Sequence, residues 1–185
     1  LAWIRGLLDG DVQVPGLAVD TELRWHIVGA LAAAGAADED LIAAELERDP
    51  TDIGARRAAA ARASRPTREA KAQTWTALLS DRSLPLATMR ALAAGFARPG
   101  QDALLADYVD RYVEALGTIW AERDAEEALL LTDGLYPSTL IDQRTVQAAD
   151  RALTVPGVPA HGRRLVVEAR DATLRALRAR AVDAD

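Results

Sequence analysis

At 185 residues the chain fits one domain, and a domain of this size buries roughly 70% of the surface its unfolded form exposes. Half of its residues are hydrophobic but only 4% are aromatic, so alanine and leucine must build the core by close helix packing. A net charge of −6 argues against a phosphate-backbone partner, and a chain without cysteine has no disulfide, thiol nucleophile or thiolate metal site.

The cysteine-free composition suits a reducing cytosol, so a cytoplasmic location is expected. No stretch approaches the ~18 consecutive apolar residues that span a bilayer, and Leu1-Ala2-Trp3-Ile4 gives way at once to Arg5. Neither nucleic acid nor a membrane is an expected partner. The start without methionine suggests a piece of a longer protein. All 22 basic residues except Lys71 are arginine, a bias that reads as base composition as much as physical demand.

Turn signals recur at helix-length intervals, at Gly10 to Gly16, Gly35 to Asp38, Asp49-Pro50, Ser64 to Thr67, Asp81 to Pro85, Pro99-Gly100, Gly134 to Pro137 and Pro156 to Pro159. After a lead-in of residues 1–19, Asp20-Thr21 opens a helix carrying Leu23, Ile27 and Leu31, which Gly35 stops. Asp38 reads as the N-cap of the next helix. Asp49 reads as another, with Pro50 as first helical residue and Asp52 in the first turn, where the helix dipole favours negative charge. Thr67 caps a helix starting Arg68-Glu69-Ala70. Leu86, Met89, Leu92, Ala93 and Phe96 step by three and four after Pro85. A single long helix just after Pro99-Gly100 is expected to carry Leu104, Leu105, Tyr108, Val109, Tyr112, Val113 and Leu116, and Gly134 stops the helix after it. The segment 158–185 closes the chain, with Leu165, Val166, Ala169, Ala172 and Leu177 on its apolar side and a frayed acidic end at Asp183-Ala184-Asp185.

Eight or nine helices joined by short connections must lie antiparallel to their neighbours. The expected fold is therefore all-α, with stacked antiparallel helical hairpins forming an α-α superhelix of armadillo or HEAT type, the alternative being closure as a bundle. Residues 1–185 are expected to form a single helical domain, with 20–185 as the main stack. No strict repeat of about 34 or 40 residues is legible, so any repeats are degenerate.

The two histidines are isolated, His26 within a helix and His161 in a loop beside Pro159, and neither belongs to HExxH or a related metal-ligand spacing. Asp38-Glu39-Asp40, Glu45, Glu47 and Asp124 to Glu127 read as solvated surface, because catalytic carboxylate pairs need burial and opposed geometry. No glycine-rich phosphate loop or nucleophile elbow occurs. The sequence thus assigns no catalytic, cofactor-binding or metal-binding residue. Arg56-Arg57, Arg62, Arg65 and Arg68 form the densest basic region. On a helical stack Arg56, Arg57 and Arg62 are the candidates to receive a peptide carboxylate by bidentate hydrogen bonds; the alternative is an exposed ladder with Asp49, Asp52 and Glu69. Trp3, Trp25, Trp75 and Trp120 read as core anchors.

Two stretches carry more than generic helix. One is Asp49-Pro50-Thr51-Asp52-Ile53-Gly54-Ala55-Arg56-Arg57, followed by Ala58 to Ala63 and by Pro66-Thr67-Arg68-Glu69-Ala70-Lys71 with Trp75. The other runs from Tyr108-Val109 through Arg111-Tyr112, Ile119-Trp120, Glu122-Arg123 and Glu126 to Ala128 as far as Gly134-Leu135-Tyr136-Pro137. With Asp20-Thr21-Glu22-Leu23-Arg24-Trp25, they resemble, in order and spacing, the C-terminal helical domain of bacterial aminopeptidase N-type zinc metallopeptidases, the endoplasmic-reticulum-aminopeptidase C-terminal type.

That resemblance implies a parent enzyme whose separate thermolysin-like domain carries HExxH-type zinc ligands, a glutamate base and a glycine-rich exopeptidase motif, none of which is in this chain. Zinc would belong to the parent catalytic domain and no cofactor to this segment. The helical domain would cap the catalytic domain of the same polypeptide and wall the chamber for peptide substrates, itself inactive. An acidic balance suits a chamber receiving ammonium-bearing peptides. The alternative is an independent helical-repeat scaffold binding a protein or peptide partner in its groove.

Overall fold

A computed structural model describes residues 1–182, and the expected acidic end at 183–185 lies outside the described residues. The described residues form helices without strands, so the expected all-α fold of packed helical hairpins is the observed one. Eleven helices are present among them rather than eight or nine, and the chain divides into two compact units, Leu1–Arg98 and the remainder from Pro99.

The first unit holds α1 (Ala2–Asp9), α2 (Thr21–Ala33), α3 (Glu39–Arg48), α4 (Asp52–Ser64), α5 (Arg68–Ser80) and α6 (Leu86–Phe96). Asp38 and Thr67 are the N-caps the sequence indicated, and Asp20 caps the helix that follows it, each side chain accepting a backbone N–H three residues on. Gly35 ends α2 at φ 73°, with the Ala36 amide donating to Leu31 and the Gly35 amide to Ala32, a left-handed stop open to a residue without Cβ. The cap of α4 differs from expectation. Thr51 performs it, accepting from the Gly54 amide at 3.1 Å, while Asp49 is non-helical (φ −126°, ψ 72°) and closes α3. The proline after Asp49 disfavours helical geometry there, so the first turn starts two residues later.

Each helix of this unit packs on the next, and α2, α4 and α6 also touch in succession as one row. The row is close because its faces are small. A Cβ built on Gly95 of α6 would lie 2.3 Å from the Ala60 carbonyl oxygen and 2.8 Å from Ala63 Cβ of α4. Lys71 fixes the direction of the helix between. It stands in the first turns of α5, is wholly buried, and donates through Nζ to Ala63 O and Phe96 O, both at 2.9 Å. Those carbonyls end α4 and α6, so α5 runs antiparallel to both. Nζ also lies 5.7 Å from the Phe96 ring centroid, and Trp75 packs on the same ring at 5.8 Å. The core around them contains Trp25, Ile27, Val28, Leu31, Ile42, Ala58, Ala61 and Leu78.

The second unit holds α7 (Asp102–Leu105), α8 (Tyr108–Glu122), α9 (Ala125–Gly134), α10 (Gln143–Ala152) and α11 (Ala160–Val182). The single helix expected after Pro99-Gly100 is two, α7 and α8. The chain stays near helical torsions at Ala106 and Asp107 but tightens there, the Val109 amide reaching Ala106 O, three residues back, at 3.4 Å; the apolar stripe therefore continues across the break. The principal contacts run α8 to α9, α9 to α11, α11 to α10 and α10 to α8, so each of these four helices touches two others. Tyr112, fully buried on α8, donates to Thr132 O (2.9 Å) and meets Tyr136 edge-on; Tyr136 bonds Thr173 Oγ1 of α11 (3.0 Å). Trp120 Nε1 donates to Thr132 Oγ1 at 3.0 Å, and α11 lies against its indole because Gly162 offers no Cβ, which would stand 2.5 Å from the ring.

Gly95→Ala should destabilise the first unit by about 1–3 kcal/mol, since the added methyl meets backbone rather than a movable side chain; urea unfolding measures it.

Alkaline pH should move the two units in opposite directions. Burial, with a smaller contribution from the Arg98 charge, pulls the Lys71 amine down to about 8, so between pH 8 and its ordinary 10.5 the unfolded chain holds the extra proton and folding strengthens as pH rises. Burial pushes the Tyr112 and Tyr136 phenols above their ordinary 10.0, so near and above pH 10 the unfolded chain releases protons that the fold retains, and folding weakens. Urea titrations at several pH values, followed by the methyl resonances of Leu78 and Leu131, report the first and second units. Parallel pH trends at the two probes would contradict this assignment.

Candidate binding surface

The arginines singled out by the sequence lie on or beside α4, half-buried at Arg56, Arg57, Arg62 and Arg65, with Arg68 exposed at the start of α5. The partners of Arg57, Arg62 and Arg65 are not Asp49, Asp52 or Glu69. Arg57 pairs with Glu22 of α2, which also stands 3.6 Å from the ring of His26. Arg62 Nε and Nη2 both reach Glu39 Oε1 of α3, at 2.7 and 2.6 Å, and Arg65 Nη1 stands 3.9 Å from the other oxygen. Helix-to-helix proximity outcompetes neighbours in sequence here, because α2 and α3 both pack on α4. Among the described residues Arg56 has no ion-pair or hydrogen-bond partner, so it is the guanidinium of this face whose fork stays open to an incoming carboxylate.

Glu45 departs from the solvated reading. It is buried on α3, and its carboxylate takes a bidentate pair from Arg24 of α2, Nε to Oε1 at 2.8 Å and Nη2 to Oε2 at 2.7 Å. The third arm, Nη1, donates to Leu8 O at 3.0 Å, so one guanidinium ties α1, α2 and α3 together. The Glu45 hydrogen bonds raise the Arg24 pKa and keep it charged despite partial burial. The signal was present in the sequence: Glu45 follows Ile42 by three residues and so shares its buried stripe.

Asp49 is equally occupied. Its carboxylate accepts from Trp25 Nε1 at 2.8 Å and from Thr51 Oγ1 at 2.7 Å, and these bonds, that from Thr51 foremost, hold its pKa below the usual carboxylate value. A Cβ on Gly54 would fall 2.0 Å from the Asp49 carbonyl oxygen, so the turn closes only over glycine.

In the second unit Asp110 of α8 is shared by Arg144 and Arg151 of α10, one carboxylate oxygen facing each, and these hydrogen bonds lower its pKa. Sequence reading missed this cluster because its members are 34 and 41 residues apart and all sit on polar faces. His161 lies in the first turn of α11 rather than in a loop, its ring edge-on to Trp120 at 5.1 Å. Trp25 and Trp75 are core residues as expected, Trp120 is partly covered, and Trp3 is not a core residue at all, being 57% exposed. Among the described residues no group of three or more His, Cys, Asp or Glu side chains could hold a metal ion, so the donors present do not fit zinc. No described helix is long and apolar enough to cross a membrane.

Side chains that resemble a peptidase family therefore prove to be packing devices: Asp49 with Thr51 and Gly54, Lys71, and the Tyr112, Trp120 and Tyr136 network. Residues 1–175 match the family model of the ERAP1-like C-terminal domain. The chain belongs to that family. It is also 48% identical over 181 residues to an Aminopeptidase N of Streptomyces lividans, an alignment covering 98% of this chain and 21% of that protein. This ERAP1-like C-terminal domain thus spans about a fifth of the relative's length and corresponds to its C-terminal region.

Replacing Glu45 by alanine should cost this ERAP1-like C-terminal domain about 3 kcal/mol, because Arg24 would keep its charge without a counter-ion. Arg62→Ala, which breaks an exposed pair, should cost less than about 1 kcal/mol. Equal losses in the two variants, measured by urea unfolding, would remove the distinction between tie and surface pair.

Proposed function

We propose that residues 1–185 form the C-terminal domain of an aminopeptidase N-type zinc peptidase, where it caps the catalytic domain of the same polypeptide and walls the chamber that admits peptides. The observation that carries this reading is 48% identity to an Aminopeptidase N over nearly the whole chain. The interior supports a mechanical part: the buried side chains of Lys71, Glu45, Thr132 and Thr173 are bonded to backbone carbonyls or to side chains of packed helices, and none of these four is paired as nucleophile and base. In this reading zinc and its ligands belong to the catalytic domain, which supplies the activated water, while the helices supply enclosure. Arg56, with Arg57 and Arg62 beside it, is the proposed contact for a peptide carboxylate. The cysteine-free chain suits a cytoplasmic enzyme.

The parent polypeptide should release amino-terminal residues from amino-acid anilides in a zinc-dependent way, and the 185-residue chain alone should release none. A parent lacking residues 1–185 should still cleave small anilides while losing its preference for peptides over folded chains. Zinc-dependent release by the isolated chain, or a parent with no HExxH segment upstream, would refute the reading; the second result would favour a helical-repeat scaffold.

A further inference from the structure

The first unit carries a feature that its own packing leaves unfinished. Residues 10–20 leave α1 as a non-helical strip folded back on it, the Val12 amide donating to Gly6 O at 2.9 Å. Between strip and helix lies a cleft of about 630 Å³ whose walls include Leu7, Leu8, Val12, Val14 and Leu17. Three of the six large apolar side chains exposed among the described residues, Leu1, Trp3 and Leu17, fall within these first 17 residues. Trp3 is one helical turn from Leu7 and so continues the cleft's apolar stripe along α1. An indole 57% exposed on the helix that walls the cleft is the kind of surface that marks a protein contact.

The rim is charged, and its one carboxylate, Asp9, is paired with Arg5. Two arginines reach the cleft, and Arg24 is spent on Glu45 and Leu8 O. Arg48, exposed in the last turn of α3, has no ion-pair or hydrogen-bond partner among the described residues. A cleft with leucine and valine side chains in its walls and one uncommitted guanidinium at its edge suits an apolar side chain with a carboxylate close by in the same segment. The relative of this chain is nearly five times as long, so a parent of that kind has ample polypeptide to fill it.

We propose that the cleft between α1 and residues 10–20, together with Trp3, seats the polypeptide that precedes this region in the parent, through an apolar side chain in the cleft and an acidic side chain on Arg48. This rests on the reading above that such a parent exists. The contact is intramolecular and covers α1, whose principal helix contact within the unit is with α2 alone.

Hydrogen exchange read by mass spectrometry, on the parent and on the 185-residue chain alone, tests it. Residues 2–20 should exchange at least about tenfold more slowly in the parent, and Arg48→Glu in the parent should restore much of the fast exchange. Equal rates in the two proteins would overturn the proposal. Slowing in the isolated chain that grows with its concentration would also overturn it, by assigning the cleft to a second copy. A parent that keeps full protection with Arg48→Glu would overturn the carboxylate pairing. The anilide assay separates the two readings: a zinc peptidase with equal exchange rates loses only this inference, whereas protection in a parent without peptidase activity loses only the functional one.

Discussion

An ammonium group taken out of water loses several kcal/mol of hydration unless its protons find acceptors, and the first unit is arranged around meeting that demand for Lys71. The acceptors are the final carbonyls of α4 and α6, groups that every helix leaves without an intrahelical partner. A helix end carries partial negative charge, so two ends converging on one cation compensate it without a carboxylate. The geometry works only if both helices terminate at the same level and approach closely. Gly95 and the alanines of α4 permit the approach, and the extended residues after Ser64 and Phe96 stop both helices in step. Register, direction and spacing of three helices thus follow from one buried charge.

Elsewhere the same need recurs with different partners. Arg24 is held by the Glu45 carboxylate and a carbonyl of α1, and the Trp25 indole by Asp49. In the second unit Tyr112, Trp120 and Tyr136 end on Thr132 and Thr173. With so few aromatic residues and no disulfide, buried hydrogen bonds of this kind select one packing among the many that alanine-rich faces would tolerate.

The surface divides accordingly. Arg57, Arg62 and Arg65 are matched by glutamates of adjacent helices, and Arg144 and Arg151 share Asp110, so most of the arginine on these faces is already neutralised locally. Arg56 and Arg48 are, with Arg90 and Arg98, the guanidinium groups of the first unit without a hydrogen bond or ion pair among the described residues, and they stand on different helices, α4 and α3. Arg56 is the proposed contact for peptide and Arg48, which reaches the cleft beside α1, the one for the preceding polypeptide.

How much of this was legible beforehand depends on the range of the interaction. Helix period, the caps at Asp38 and Thr67, the stop at Gly35 and the stripe on α8 are local, set by side chains three or four residues apart, and the sequence alone determined them. The family was legible as well, because its quoted motifs are local runs that pack. Errors arose where a neighbour in space overruled a neighbour in sequence: Trp25, 24 residues upstream, draws Asp49 from capping into a bond with its indole, and Arg24, 21 residues upstream, draws Glu45 from solvent into the core. The tightened turn between α7 and α8, the exposure of Trp3 and the choice of partners for the α4 arginines were likewise settled by packing. A charged side chain carries no mark of the counter-charge it will meet, and only the tertiary structure, by deciding which helices touch, supplies one.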